Sequence, residues 1–250
     1  MVDFADVPVS GKLPSPDILD RLLNRIRATG TIQLLLTLFL LQLAVHAVYL
    51  NRPPASFHQW RQTQTLAVAR NFFEEGGSVL EPKVDSRGQY SGITGMEFPI
   101  VNYVIAQNYR LFGYSYTVQR ATILFFSLIA LAGCFLFVSQ LLRSRVSGFV
   151  ASFLLIFSPL FCYYSATALP DVPALAFLFL SLGLWQLWKA NNSLPWLILS
   201  LASLMLASLV KIYCLIAVPY YLYESLRHHR SARGSYMNLI GLSVVLGVVA

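Results

Sequence analysis

The chain is short of charge. Only 12% of its 250 residues are Asp, Glu, Lys or Arg, about half the share that a soluble domain spreads over its surface to stay in water. That shortage excludes a soluble enzyme, a disordered chain and a collagen, and the long uncharged apolar runs leave a helical membrane protein. Cysteine is scarce as well. Cys134, Cys162 and Cys214 stand singly inside apolar runs, without the paired spacing of a disulfide framework or a zinc site, and they read as small apolar residues. A cleavable signal peptide is also missing. The first 30 residues carry Asp3, Asp6, Asp17 and Asp20 and then Arg21, Arg25 and Arg27, and the apolar run behind them starts too late and runs too long. No internal repeat or low-complexity segment stands out.

What is present is apolar and basic. Hydrophobic residues make up 56% of the chain and the net charge is +7, with a mean hydropathy of +0.61 and a pI near 9.5. In a membrane protein basic residues gather at the cytoplasmic face for topological reasons, so the charge does not point to nucleic acid. The first apolar run, Thr31 to Leu50, is interrupted only by Gln33, Gln42 and His46 and is long enough to cross a hydrocarbon core of roughly 30 Å. Further candidate spans are Ala121 to Leu142, Val146 to Tyr164, Val172 to Trp188, Pro195 to Val210, Ile212 to Tyr223 and Met237 to Ala250.

With the N-terminus inside, every inside segment is basic: Lys12, Arg21, Arg25 and Arg27; Arg143 and Arg145; Lys189; and Arg227, Arg230 and Arg233. The outside turns hold Asp171 and the single cation Lys211. Merging the fifth and sixth runs would move the Arg227 to Arg233 cluster outside, so they read as two helices. The last run stops about 14 residues in. A helix ending there would leave its carbonyls without partners in lipid, so the expectation is the N-terminal part of a longer protein. Residues 1–30 read as a cytoplasmic segment and 31–250 as a transmembrane domain.

Residues 51–116 form a loop facing outward, long enough to be functional in its own right. Trp60 to Glu75 reads as an amphipathic helix, with Leu66, Ala69 and Phe73 on one face and Arg61, Gln64, Asn71 and Glu75 on the other; it suits the interface rather than a span. Phe98 to Phe112 has Pro99 in its first turn, apolar residues at helical spacing and Gly113 as a stop, and reads as a second interfacial helix. Gly76, Gly77, Gly88, Gly92 and Gly95 mark a flexible, turn-rich connection between them.

Ionisable residues at a hydrocarbon boundary are expensive to hold there, which makes them functional candidates. The cluster His58, Gln59, Trp60, Arg61 and Gln62, together with Glu97, Arg120, Asp171 and Lys211, all fall on the outward side of this topology. Each has a structural reading beside the functional one. Arg61 and Arg70 can bind lipid headgroups, Lys211 can snorkel at a helix end, and Asp171 and Glu97 can complement a helix N-terminus. His46 reads as an interhelical hydrogen-bonding group, His228 and His229 as solvated, and Tyr163, Tyr164, Trp185, Trp188 and Trp196 as aromatics of the membrane belt.

The order of parts, with HQWRQTQTLAVARNF at His58 to Phe72, MEFPIVNYVIAQNYRLFG at Met96 to Gly113 and YYSATALPD at Tyr163 to Asp171, resembles the N-terminal half of the GT-C membrane glycosyltransferases. These include the protein O-mannosyltransferases, the aminoarabinose transferases and related bacterial family 39 enzymes. The resemblance runs from about residue 30 to 225. It implies an all-α polytopic transmembrane bundle in the bacterial inner membrane that takes a sugar from a polyprenyl-phosphate donor and passes it to an acceptor hydroxyl, on a glycan, lipid or protein, often with inversion. A carboxylate serves as base toward the acceptor, and cations hold the departing lipid phosphate.

By the same resemblance Glu97 matches the acid of the second loop motif, although Phe98 stands where a lysine often separates acid from proline. Arg61 matches the arginine of the first loop motif, and Lys211 the cation facing the lipid phosphate. Gln62, Tyr103 and Arg120 complete the expected substrate-binding set. Many members carry an acid just before that arginine, whereas this chain has no carboxylate between Asp20 and Glu74. The base is therefore Glu97, ranked first, or Asp171, or His58, whose unperturbed imidazole is largely neutral at pH 7; otherwise the chain is inactive. Some relatives use a divalent ion, and no ligand cluster is legible here. The rival class is a non-catalytic transporter or lipid-binding membrane protein, or an inactive relative.

Overall fold

The computed structural model describes residues 16–55, 57–227 and 232–249. Asp3, Asp6, Lys12, His228, His229 and Arg230 lie outside the described residues, as do the side chains of Asp17 and Arg233. Helix dominates: α1 (Pro16–Ala28), α2 (Thr31–His46), α3 (Gln59–Glu74), α4 (Ile100–Phe112), α5 (Tyr116–Leu141), α6 (Arg145–Ile156), α7 (Pro159–Ser165), α8 (Asp171–Asn191), α9 (Leu194–Val210), α10 (Val218–Arg227) and α11 (Ala232–Val249). Short 3₁₀ turns continue α2 over Ala47–Tyr49 and join α9 to α10 over Ile212–Ala217. Among the described residues the only extended pairing is an isolated bridge between Lys83 and Ile93.

Three helices among the described residues are long and apolar enough to cross a membrane: Thr31–Tyr49, Tyr116–Leu141 and Asp171–Asn191, of 19, 26 and 21 residues. The expected third span is not straight. It breaks between Ile156 and Pro159 and bends by 70° into α7, because Pro159 has no amide hydrogen to continue the ladder of α6. The fifth and sixth runs are two elements, as expected. Lys211 leaves the helical region (φ −147°, ψ 111°) while its amide still bonds the Ala207 carbonyl at 2.8 Å. The sixth run, however, is a 3₁₀ turn followed by a 10-residue helix rather than one uniform helix. Helix α5 also begins earlier than its apolar run, at Tyr116 rather than Ala121. Ser115 caps it, its hydroxyl accepting from the Val118 amide at 3.2 Å.

Helices with no hydrophobic drive between them associate through small residues and a few interhelical hydrogen bonds. Helices α5 and α8 meet through small residues. A Cβ placed on Gly133 would lie 2.6 Å from the backbone of Phe179 and Leu180, and one on Gly183 would lie 3.2 Å from the Gly133 carbonyl. Hydrogen bonds tie α2 to α5 and α7: Gln42 donates to Ser127 Oγ at 2.9 Å, and the His46 ring lies 2.9 Å from the carbonyls of both Gln42 and Cys162. On the far side Ser181, Ser200 and Tyr221 share hydroxyl contacts, and Lys189 pairs with Glu224, locking α10 against α8 and α9.

The two loop helices lie on one end of this bundle. One apolar cluster joins Ala69 of α3 and Val101, Ile105 and Tyr109 of α4 to Ile123, Ala174, Ala207 and Val210 of α5, α8 and α9. Asn102 of α4 donates to the Thr65 carbonyl at 2.7 Å. The polar face expected for α3 needs correction at one position: Asn71 is buried. Asn71 donates to the Lys83 carbonyl at 2.8 Å and to Asp85 at 3.1 Å, which satisfies its amide away from water. The glycine-rich connection is turn-rich, with positive φ at Gly76, Gly77, Gly88 and Gly92, but it is pinned rather than loose. Arg70 pairs with Asp85 at 2.7 Å, and Glu75 pairs with Arg87 at 2.5 Å and Lys83 at 3.0 Å.

Candidate functional site

Four of the expected residues come from four separate segments and meet. Arg61 projects from the first turn of α3, Glu97 from the strip before α4, Asp171 from the first residue of α8, and Lys211 from the break after α9. Glu97 joins two of them. Its carboxylate accepts from Arg61 Nη2 at 2.5 Å through Oε2 and from Lys211 Nζ at 2.8 Å through Oε1. Lys211 Nζ is in turn 4.0 Å from Asp171 Oδ1.

Local backbone explains the meeting. The Phe98 amide donates to the Leu209 carbonyl at 3.1 Å, so the strip carrying Glu97 is tied to the last turn of α9 just before Lys211. Pro99 stands at the cap of α4 and stops that helix from reaching back through Glu97. Asp171 follows Pro170 and occupies the N-terminus of α8, where a carboxylate complements the helix dipole.

The side chains are neither dry nor free. Lys211 is 18% exposed, Glu97 and Asp171 33%, and Arg61 35%. Two cations and two carboxylates alternate on a half-buried rim, so the cluster is close to neutral, and a second anion entering it competes with Glu97 for both cations. Tyr213, two residues beyond Lys211, brings its hydroxyl 3.5 Å from Asp171 Oδ1. Nothing in the sequence singles out that tyrosine except its place just after the break.

The other expected residues do not join the cluster. Arg120 is buried and donates to the carbonyls of Arg52 at 2.6 Å, Pro53 at 2.9 Å and Ala166, clamping the chain after α2 against the break after α7. Gln62, also buried, points its amide at the carbonyls of Ala55 and Phe57 at 3.4 and 3.3 Å. Tyr103 packs edge-on against Phe72 with ring centres 5.6 Å apart. His58 is exposed at the cap of α3 with φ at +57°, in the left-handed region that a side chain adopts at a cost. Its backbone turns the chain so that Arg61, three residues on, faces Glu97.

Among the described residues no three His, Cys, Asp or Glu side chains come together to hold a metal ion. The cation seated between Glu97 and Asp171 is the Lys211 ammonium, at 2.8 and 4.0 Å, so this pair of carboxylates does not fit a divalent ion.

Compared with models of protein families, residues 97–250 match the one described as dolichyl-phosphate-mannose-protein mannosyltransferase. The match takes in Glu97, Asp171 and Lys211 and begins beyond Arg61. No curated protein and no solved structure matches the chain. Since the match spans more than half of the chain, the protein belongs to the dolichyl-phosphate-mannose-protein mannosyltransferase family, a membrane family of the GT-C type.

Proposed function

We propose that the chain transfers a sugar from a polyprenyl-phosphate donor to an acceptor hydroxyl, at the membrane rim where Arg61, Glu97, Asp171 and Lys211 meet. The observation that carries this reading is the double pairing of Glu97 with Arg61 and Lys211: a carboxylate and two cations held in reach of one another are what proton removal and phosphate departure require.

The donor phosphate enters by exchanging places with Glu97 on the two cations, which frees the carboxylate. The acceptor oxygen then attacks the anomeric carbon and its proton passes to Glu97 Oε. The bond from that carbon to the phosphate oxygen breaks, its electron pair stays on the phosphate, and Arg61 and Lys211 stabilise the charge. Asp171 remains the second candidate base, since its carboxylate has looser contacts, at 4.0 Å from Lys211 and 3.5 Å from Tyr213. Arginine's planar fork suits two phosphate oxygens, while Lys211 acts as a point charge.

The orientation follows the same logic. Arg27, Arg145 and Lys189 lie at the end of the bundle away from the cluster, which supports a cytoplasmic N-terminus and an outward-facing site, in what we read as a bacterial inner membrane. Incubating the purified membrane protein with radiolabelled polyprenyl-phosphate sugars and following the label off the lipid tests the activity. Release of label to an acceptor supports transfer. Binding of the lipid without release returns the chain to the lipid-binding or inactive class.

A further inference from the structure

At the opposite end of the bundle α1 carries a pattern that the transfer reaction does not use. In its sequence, PDILDRLLNRIRA, Ile18, Leu22 and Ile26 recur at every fourth position and so share one face. Ile26 packs into the core beside α2 and α6, whereas Ile18 and Leu22 are 50% and 52% exposed. So the C-terminal turn of the apolar face is covered by protein, and among the described residues the preceding turns are not.

Charge decides what covers them. Arg21, Arg25 and Arg27 are exposed on the same helix, Arg25 nearest that face, and Arg143 and Arg145 are exposed on the neighbouring turn between α5 and α6. Arg145 Nη2 donates to the Arg27 carbonyl at 3.4 Å, which brings the two groups together. Among the described side chains none of these five arginines has a carboxylate partner. The acids of the helix, Asp17 and Asp20, stand in its first two turns, the positions where an acid complements the dipole, and the arginines of its C-terminal half follow them. Position completes the pattern. Only Thr29 and Gly30 separate α1 from α2, the first membrane-spanning helix, so α1, about 20 Å long at 1.5 Å per residue, is held where hydrocarbon gives way to headgroups.

We infer that α1 is a surface helix that lays Ile18 and Leu22 into the lipid interface and binds anionic headgroups through Arg21, Arg25 and Arg27, with Arg143 and Arg145 extending the patch. A zwitterionic surface would take the apolar contact but offer the arginines phosphates whose charge the choline ammonium offsets, with no net attraction. An anionic surface takes both, and each arginine near it contributes about a five-fold change in partition.

Hydrogen exchange of the α1 amides tests this on the whole protein in nanodiscs of phosphatidylcholine alone or with phosphatidylglycerol. Amides of α1 are expected to exchange several-fold more slowly with phosphatidylglycerol present, and added salt should erase the difference by screening. R21Q/R25Q/R27Q should lose the lipid-dependent protection, whereas R21K/R25K/R27K should keep it, which separates lost charge from a damaged helix. Equal protection in both lipids for the wild type, or an undiminished lipid effect in the glutamine variant, would overturn the inference. So would protection that grows with the number of protein copies per disc, because it would assign the face to a second chain.

Discussion

Replacing Glu97 by glutamine should separate two quantities that usually fall together. Each cation loses its pairing with Glu97, at 2.5 Å for Arg61 and 2.8 Å for Lys211, while Lys211 keeps Asp171 at 4.0 Å. All three side chains are between 18% and 35% exposed, so each pair is worth about 0.5–1 kcal/mol rather than the larger figure of a dry interior. Together they oppose phosphate binding by about 1–2 kcal/mol, because the incoming phosphate must break both. Glu97→Gln removes that competition while keeping the shape of the side chain, and should tighten binding of polyprenyl phosphate roughly 5- to 30-fold. Transfer should meanwhile fall by about 10²–10⁴, the contribution of a positioned base. Titrating the detergent-purified variant with polyprenyl phosphate at fixed salt measures the first effect, and label transfer from a polyprenyl-phosphate sugar measures the second. Weaker or unchanged lipid binding in the variant would refute the exchange of Glu97 for phosphate. Transfer at the wild-type rate would remove Glu97 as base and leave Asp171.

Other residues give independent tests. His58 serves the backbone through its left-handed conformation, so His58→Asn, which tolerates that region, should keep transfer within a few-fold, whereas the β-branched His58→Val should impair it and lower the melting temperature. If His58 were the base, asparagine would be as damaging as valine. Gly133→Ala places a Cβ 2.6 Å from the backbone of α8, and overpacking there should cost about 1–3 kcal/mol, read as a lower melting temperature with α5 and α8 forced apart. An unchanged melting temperature would contradict the close crossing. The Glu75 carboxyl is held down to about 2, first by its hydrogen bond from Arg87 and then by that from Lys83. A depressed carboxyl contributes its stability in full above its ordinary range near 4.5 and loses it as pH falls through about 2. Residues 76–95 should therefore resist limited proteolysis at about pH 3.5, between those two values, and Arg87→Met should open them at that pH.

The cluster itself is legible in the sequence because its members are charges beside apolar runs, and a charge in that position needs a reason. Arg61, Glu97, Asp171 and Lys211 all stand out that way. Arg120 carries the same sequence signal and Gln62 stands in the same polar cluster as Arg61, yet both satisfy loop carbonyls instead, since a buried polar side chain near an irregular chain is consumed by backbone groups that helices leave unpaired. Periodicity locates α3 and α4 but misplaces Asn71, whose partners lie 12 and 14 residues away and have no local signature. The apolar run marks the start of α5 too late, because Gln119 and Arg120 look like loop residues although both are buried within its first turns. Helix α1 is hard to read from sequence because its apolar face is short and lies among charges.

The central claim is that Glu97 and Lys211, 114 residues apart in sequence, share one site that lipid phosphate enters. Cysteines introduced at both positions, in a protein whose Cys134, Cys162 and Cys214 have been replaced, can be tested with a short thiol-specific cross-linker followed by proteolysis and mass spectrometry. A linked pair of peptides is expected, since the two side chains meet at 2.8 Å, together with much weaker binding of polyprenyl phosphate than in the wild type, because the variant lacks the Lys211 cation that holds it. Failure to link, with both cysteines shown to be reactive, would contradict the claim.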